Sequence, residues 1–478
     1  MIDVLFAHSY FLRFDPKQWK AQQPFPPLAT IYAASVLRNE GWKVDLFDTM
    51  FSLSAEELTT ALDDVKPKVF VIYDDGFNYL TKMCLTNMRD AAFRMMQLAK
   101  ERGITVIVSS SDATDHSEDY LRGGADYVIF GEGELTLKEL ISSILNETVK
   151  AELIAGLRFL KDGQLVQNAP RKNATDLDQF PLPAWDLVDM EAYRNIWLSA
   201  HDKFILNMVT TRGCPFKCNW CAKPIYGNRY NSRSPERVVE ELSMLKETYD
   251  FDGIWFCDDI FGLKPGWVNQ FADLVEAANL KFKFKIQSRA DLLLQENNVA
   301  ALARAGADEV WIGAESGSQK ILDAMDKGTT VTQIHESTRL MKSVGIKPCF
   351  FLQFGYPGET KEDVKATLEM VFSLLPHDIG VSVSYPLPGT KFYENVKTEL
   401  SAKQNWTDSD ELLVMFKSTY PAPFYKKLQR HIHHEFRKRK GMEALQRLKD
   451  LNDFKLALSL SYRIPQSLIS KVQLASYG

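Results

Sequence analysis

Between Thr210 and Cys221 the chain reads Thr-Thr-Arg-Gly-Cys-Pro-Phe-Lys-Cys-Asn-Trp-Cys, so Cys214, Cys218 and Cys221, half of its six cysteines, fall within eight residues. Intervals of three and then two residues put three thiolates on one short loop, where they can face a common centre. A closed zinc site takes four nitrogen or sulfur ligands, typically as two close pairs, and no second Cys or His pair follows at a finger-like distance. Three cysteines cannot all pair as disulfides among themselves, and nothing at the N-terminus suggests export. Three thiolates suit a [4Fe-4S] cluster whose fourth iron stays open to a substrate or cofactor. An ordinary surface loop has no reason to carry this pattern.

With Trp220 just before the last cysteine, the stretch resembles the cluster loop of the radical S-adenosylmethionine (radical SAM) enzymes. The resemblance implies that Cys214, Cys218 and Cys221 bind the cluster and that the amino and carboxylate groups of SAM chelate the open iron. The reduced cluster would cleave SAM to methionine and a 5'-deoxyadenosyl radical, with an external electron donor such as a flavodoxin or ferredoxin. Trp220 would belong to an apolar wall that limits water; a packed tryptophan beside a loop is the plainer account.

A chain of 478 residues exceeds a single core and suggests two or three domains. Its 57 Lys and Arg against 62 Asp and Glu leave a net charge of -5, with no global field for nucleic acid, which is not expected as a partner. The opening Met1-Ile2-Asp3-Val4-Leu5-Phe6 lacks a cationic, long-apolar leader, and no run of 18 apolar residues occurs. A cytoplasmic protein without a transmembrane segment is the expectation, in a compartment that keeps thiols reduced.

Residues 1–148 alternate apolar runs with helical patterns, the mark of a parallel sheet wrapped by helices. Strands are expected at Ile2–Ala7, Lys43–Phe47, Lys68–Tyr73, Thr105–Ser109 and Tyr127–Phe130, with helices near 28–40, 54–64, 81–102, 116–122 and 135–146. Ligands of such sheets sit beyond the carboxyl ends of the strands. The stretches Pro26–Arg38, Gly41 with Val44–Asp48, and Gly124–Glu134 resemble the cobalamin-binding domains that precede many radical SAM barrels. The resemblance implies cobalamin, with Ser110, Ser111, Gly131 and Glu132 near it. No Asp-x-His-x-x-Gly stretch supplies a histidine to cobalt, and Ser109–Asp112 stands where the family often has glycines, so a domain that only recognises substrate is the alternative. Gly131 and Gly133 do not make a dinucleotide fingerprint: the third glycine is missing and two glutamates would repel a pyrophosphate.

Residues 149–200 read as a connector, with a hairpin at Gly156–Leu160 and Gln164–Gln167 and then Pro181 and Pro183, which forbid regular helix. From 201 to 395 the alternation restarts with strands at Ile205–Thr211, Gly253–Asp258, Lys281–Ser288, Glu309–Ala314, Lys347–Phe354 and Ile379–Ser384. Helices are expected near 235–248, 266–278, 296–305, 318–343 and 361–374. The expected fold class is α/β: a Rossmann-like cobalamin-binding-type domain, a partial (β/α)6 radical SAM barrel, and a helical extension over 396–478.

Strand ends carry the further SAM candidates that the resemblance implies. Of Asp258 and Asp259, which point to opposite sides of an extended chain, only one need face the site to hold the amino group, against a reading as a loop pair or helix cap. Arg289 would hold the carboxylate, Glu315 and Ser316 the ribose or carboxylate, and Gly355 and Tyr356 the adenine. No residue is assigned to catalysis. Cys84 and Cys349 are read as core thiols and His8, at the end of the first strand, as structural. The cationic block from Lys426 to Lys440, bordered by Tyr420, Phe424 and Tyr425, is read as a solvated helix face. It could instead hold an anionic substrate or rest on an acidic membrane surface.

Over residues 1–395 the resemblance implies radical generation from SAM, then cobalamin-dependent methylation of an unactivated carbon in a small-molecule or lipid substrate. An oxidative cyclase or ring-rearranging enzyme using the same cofactors is the alternative. A non-catalytic Fe-S and cobalamin sensor is the second.

Overall fold

Unbroken apolar runs such as Val-Leu-Phe-Ala and Val-Phe-Val-Ile-Tyr suit strands covered on both faces. The computed structural model describes residues 2–78, 81, 85–148, 150–295, 297–400, 403, 405–409, 411–448 and 451–475. In it β1 (Val4–Ala7) and β3 (Val69–Tyr73) are wholly buried, and with β2 (Val44–Phe47), β4 (Thr105–Ser109) and β5 (Tyr127–Ile129) they form a parallel sheet in the order β2-β1-β3-β4-β5. Val4 pairs with both Val44 and Val69, so the direction of winding reverses between β1 and β3. One face of the core is filled by Leu5, Phe70, Ile72, Met95 and Val106. The expected hairpin, β6 (Leu157–Lys161) and β7 (Gln164–Gln167), extends this sheet antiparallel beyond β5. The expected helix from 81 is Thr86–Lys100, and Cys84 lies outside the described residues.

The chain divides into two compact units. The first holds the sheet above, residues up to Pro215, Ala222–Phe284 and Asn405–Glu411. In its later part β8 (Ile205–Met208) runs parallel to β11 (Gly253–Phe256), and a short ribbon joins β9 (Thr211–Arg212) to β10 (Asn231–Ser232) antiparallel. Phe256, Phe261, Phe271 and Phe284 pack together beside β11, edge to face or tilted, at centroid distances of 5.1–6.1 Å, which steadies the end of that strand. Asn405–Glu411 belongs to this unit: Thr86 N donates to Trp406 O at 2.9 Å, and Ser409 Oγ to Asp15 Oδ1 at 2.8 Å.

The second unit holds Phe216–Cys221, Lys285–Gln404 and Leu412–Gly478. After β12 (Lys283–Ser288), in which the division falls, β13 (Ala307–Glu315), β14 (Lys347–Phe354) and β15 (Asp378–Val383) are successive parallel neighbours separated by helices. The single helix expected over 318–343 is two, Gln319–Ala324 and Val331–Ser343. Thr330 and Gln333 form a capping box that starts the second, and Asp326 and Gly328 take positive φ, so the 3.6-residue period is broken over 325–330. Helices Ala422–Arg447, Leu451–Leu458 and Leu460–Ala475 close the chain.

Candidate functional site

In the first unit the approach to the cysteine loop is held from two sides. Asp258, at the end of β11, is buried and accepts from Thr210 N, Thr210 Oγ1 and Thr211 N, each at 2.7 Å. Burial pushes its carboxyl up to about 6 against those three bonds. The carboxylate expected to face SAM therefore fastens the end of β8, and of the pair Asp259 is the exposed one. On the other side Arg212 is 4% exposed; its Nη2 donates to Glu134 at 2.8 Å and its Nη1 to Glu132. The rings of Phe180, Tyr226, Phe77 and Tyr32 surround its Cζ at 4.6–6.0 Å. Glu132 also accepts from Ala174 N. That carboxylate, expected near cobalamin, is thus engaged by Arg212 and the connector. Gly213 follows with φ 78, and a Cβ there would collide with the carbonyl of Arg229.

In the second unit Asn219, between the last two cysteines, is a pin. Its N donates to Met325 O at 3.0 Å and its Nδ2 to Ala324 O at 2.7 Å; its Oδ1 accepts from Tyr356 Oη at 3.0 Å and its O from Phe392 N at 2.9 Å. Tyr356, expected at adenine, also stacks on Phe392 at 5.3 Å. Arg289 grips Asp291 through Nε and Nη2 at 2.9 and 3.2 Å, donates to Lys327 O, and lies 3.7 Å from the ring centre of Phe216. Glu315 ends β13 after a register shift, in a left-handed conformation of φ 55, and pairs with buried Lys327 at 2.7 Å. Burial opposes the Lys327 ammonium, but Glu315 and then the Cys218 thiol hold it above its usual range. Its Nζ is also 5.8 Å from the Trp220 ring. Ser316 is buried, bonds Thr367 Oγ1 at 3.1 Å and caps Ser318 N. Gly355 donates to Glu359, whose carboxyl burial raises to about 8.

The three cluster thiols are partly exposed and unoxidised. Among the described residues no three Cys, His, Asp or Glu side chains converge as a metal-binding group. The Cys218 sulfur, with a buried ammonium near it and the Trp220 ring two residues on, fits an anionic iron-thiolate group. Buried Cys349, with a thiol that burial pushes up, is a core residue as expected, and Cys257, whose thiol donates to Met208 O at 3.1 Å, is buried too.

At the carboxyl ends of β3 and β4, beside the point where the winding reverses, a cavity is lined by Ala29, Asp74, Gly76, Ser110, Ser111 and Tyr226. Ser110 Oγ caps the short helix Ser111–Asp115, and Ser111 Oγ is buried with no hydrogen-bond partner. An orphaned hydroxyl at the strand ends fits a polar ligand taken up there. Gly131, with φ 74, is not among the lining residues, although a Cβ there would lie 3.8 Å from the carbonyl of Ile225, which is. His8 is engaged elsewhere, by Asp48 at 2.8 Å and by Thr49.

Residues 208–371 match the radical SAM superfamily and residues 19–141 the B12 binding domain. The chain is 30% identical over 387 residues to a protein of Pyrococcus horikoshii described as an uncharacterized methyltransferase, covering 80% of this chain and 81% of that one. The chain belongs to the radical SAM superfamily. As a radical SAM enzyme with a B12 binding domain, it uses a [4Fe-4S] cluster, SAM and cobalamin. It is 23% identical over 331 residues to the anaerobic magnesium-protoporphyrin IX monomethyl ester cyclase of Synechocystis, covering 68% of this chain and 64% of that one. Its fold is that of the cobalamin-dependent SAM radical enzyme OxsB solved with aqua-cobalamin and SAM, at a TM-score of 0.74 and 18% identity over 100% of this chain and 75% of that one.

Sequence reasoning did not single out Arg212 and Glu134 in the first unit, or Asn219 and Lys327 in the second. Lys327 had a readable signal, since Gly328 and the Thr330-x-x-Gln333 pair interrupt the helical pattern around it. Arg212 had none: its carboxylates lie 78 and 80 residues away.

Proposed function

We propose that this enzyme methylates an unactivated carbon. When bound, the cluster and SAM supply a 5'-deoxyadenosyl radical, and cobalamin supplies the methyl group. The observation that carries the reading is one chain holding both a cavity with an orphaned serine at the carboxyl ends of β3 and β4 and a cysteine loop whose Cys218 has the buried ammonium of Lys327 near it. Cys214, Cys218 and Cys221 hold the cluster. Lys327 offsets its negative charge, and Trp220 and Phe216 keep water from it. Asp259 meets the SAM amino group, while Glu315, Ser316, Gly355 and Tyr356 line the nucleoside. Arg289 is oriented by Asp291 for the SAM carboxylate. Ser110 and Ser111 bond the cobalamin tail. The likeness to a methyltransferase supports methyl transfer; the likeness to the cyclase supports a second reading, oxidative ring closure with the same cofactors.

Anaerobic reconstitution with iron, sulfide and cobalamin, followed by visible spectra and product mass, tests both. Methylation predicts cobalamin bands beside the cluster shoulder and a product heavier by one methylene unit; a loss of hydrogen or a gain of oxygen selects the cyclase. Uptake of iron and sulfide without cobalamin would sink methyl transfer by this route. Replacement Cys218→Ala is expected to abolish 5'-deoxyadenosine formation while the N-terminal sheet stays folded by circular dichroism.

A further inference from the structure

Amphipathic helices bury their apolar stripe and show water their polar one. The last helix, Leu460–Ala475, does the reverse. Its buried side chains are Ser467 and Ser470, which meet Glu435 at 2.5 Å and His431 at 3.2 Å on the helix Ala422–Arg447. Outward stand Ile464, Leu468, Ile469 and Val472, 43–72% exposed, spaced to share one side of the helix. The helix Leu451–Leu458 repeats the inversion, burying Asp453 and showing Phe454 and Leu458. Ten of the seventeen large apolar side chains exposed among the described residues fall between Met442 and Val472. Isolated exposed apolar residues are ordinary, but a concentration of this kind marks a surface that something covers.

Charge identifies the cover. Residues 422–478 carry twelve Lys and Arg against four Asp and Glu, a net +8, whereas the other 421 residues carry a net -13. The last helix holds Arg463 and Lys471 and no acidic side chain. Two copies meeting through this face would set +8 against +8. No helix among the described residues is long and apolar enough to cross a membrane. A basic helix with an apolar stripe that lies in the plane of an anionic bilayer satisfies both observations. We infer that the C-terminal helices dock on an anionic lipid surface, the Ile464–Val472 stripe entering the headgroup region and the surrounding Lys and Arg facing lipid phosphates.

Flotation of the full chain with vesicles of phosphatidylcholine, alone or mixed with phosphatidylglycerol, tests this. The expected result is binding to the mixed vesicles only, weakened at roughly 0.5 M salt, where surface charges are screened beyond about 4 Å. Leu468→Glu with Val472→Glu, at exposed positions, lowers the bound fraction about tenfold or more with circular dichroism unchanged. In a Tyr462→Trp variant, emission shifts to the blue on mixed vesicles. A chain that floats with neither vesicle, or equally with both, overturns the inference. So does a double variant that turns a dimer into a monomer by sedimentation without changing vesicle binding.

Discussion

Lys327 shows what a single residue does in this site. A lysine 7% exposed is tolerable because Glu315 lies 2.7 Å away, and removing one member of such a pair strands the other. Lys327→Met is expected to destabilise the fold by about 3–5 kcal/mol. Adding Glu315→Gln recovers part of that loss, as a double-mutant cycle by urea denaturation will show. Losses that simply add would dismiss the coupling. Glu359 offers a pH test. Its carboxyl rises from the usual 4.5 to about 8 in the fold because it is buried, with one oxygen lacking a partner. Between those values the folded chain keeps a proton that the unfolded chain has lost, so stability falls as pH rises from about 4.5 to about 8. Glu359→Gln lacks that proton equilibrium and keeps an acceptor for Gly355 N. Its Tm should match the wild type near pH 5 and exceed it increasingly towards pH 8; a constant difference would show that Glu359 does not titrate in this range.

Among the elements, the loop from Gly213 to Cys221 depends on a backbone that a side chain would exclude. Gly213→Ala pushes a methyl group into the carbonyl of Arg229 at a φ of 78, so iron bound per chain after reconstitution should drop severalfold while the far-ultraviolet spectrum is retained. Iron content equal to the wild type would mean that the loop reshapes around the alanine. Strand positions were legible because buried parallel strands are runs of apolar residues, and Thr105–Ser109 and Lys347–Phe354 fall at their expected bounds. The break at 325–330 is signalled by Gly328 and the Thr330-x-x-Gln333 pair, but a period summed over 318–343 outweighs them. That break brings Lys327 to the Cys218 side of the site.

For the whole molecule, Arg212 gathers the N-terminal sheet through Glu132 and Glu134, the connector through Phe180, and the cysteine loop through its own backbone. Arg212→Met leaves two buried carboxylates without a cation and is expected to cost about 3–5 kcal/mol, with iron binding impaired. Arg212→Lys should not restore it, since an ammonium lacks the planar fork that reaches both acids. Full rescue by lysine in thermal unfolding would reduce the fork to a point charge. The segregation of +8 at the C-terminal end from -13 elsewhere is likewise a property of the entire chain.

Ligand chemistry and periodicity are local, and so three cysteines within eight residues and two rounds of strand and helix alternation were determined by the sequence alone. Only the tertiary structure decided which acid meets which cation. Asp258 turns to Thr210 and Thr211, Glu132 to Arg212, Glu315 to Lys327 and Ser467 to Glu435, because buried charge and polar groups take whatever partner the fold brings within hydrogen-bond reach. Spacing along the chain does not encode that reach.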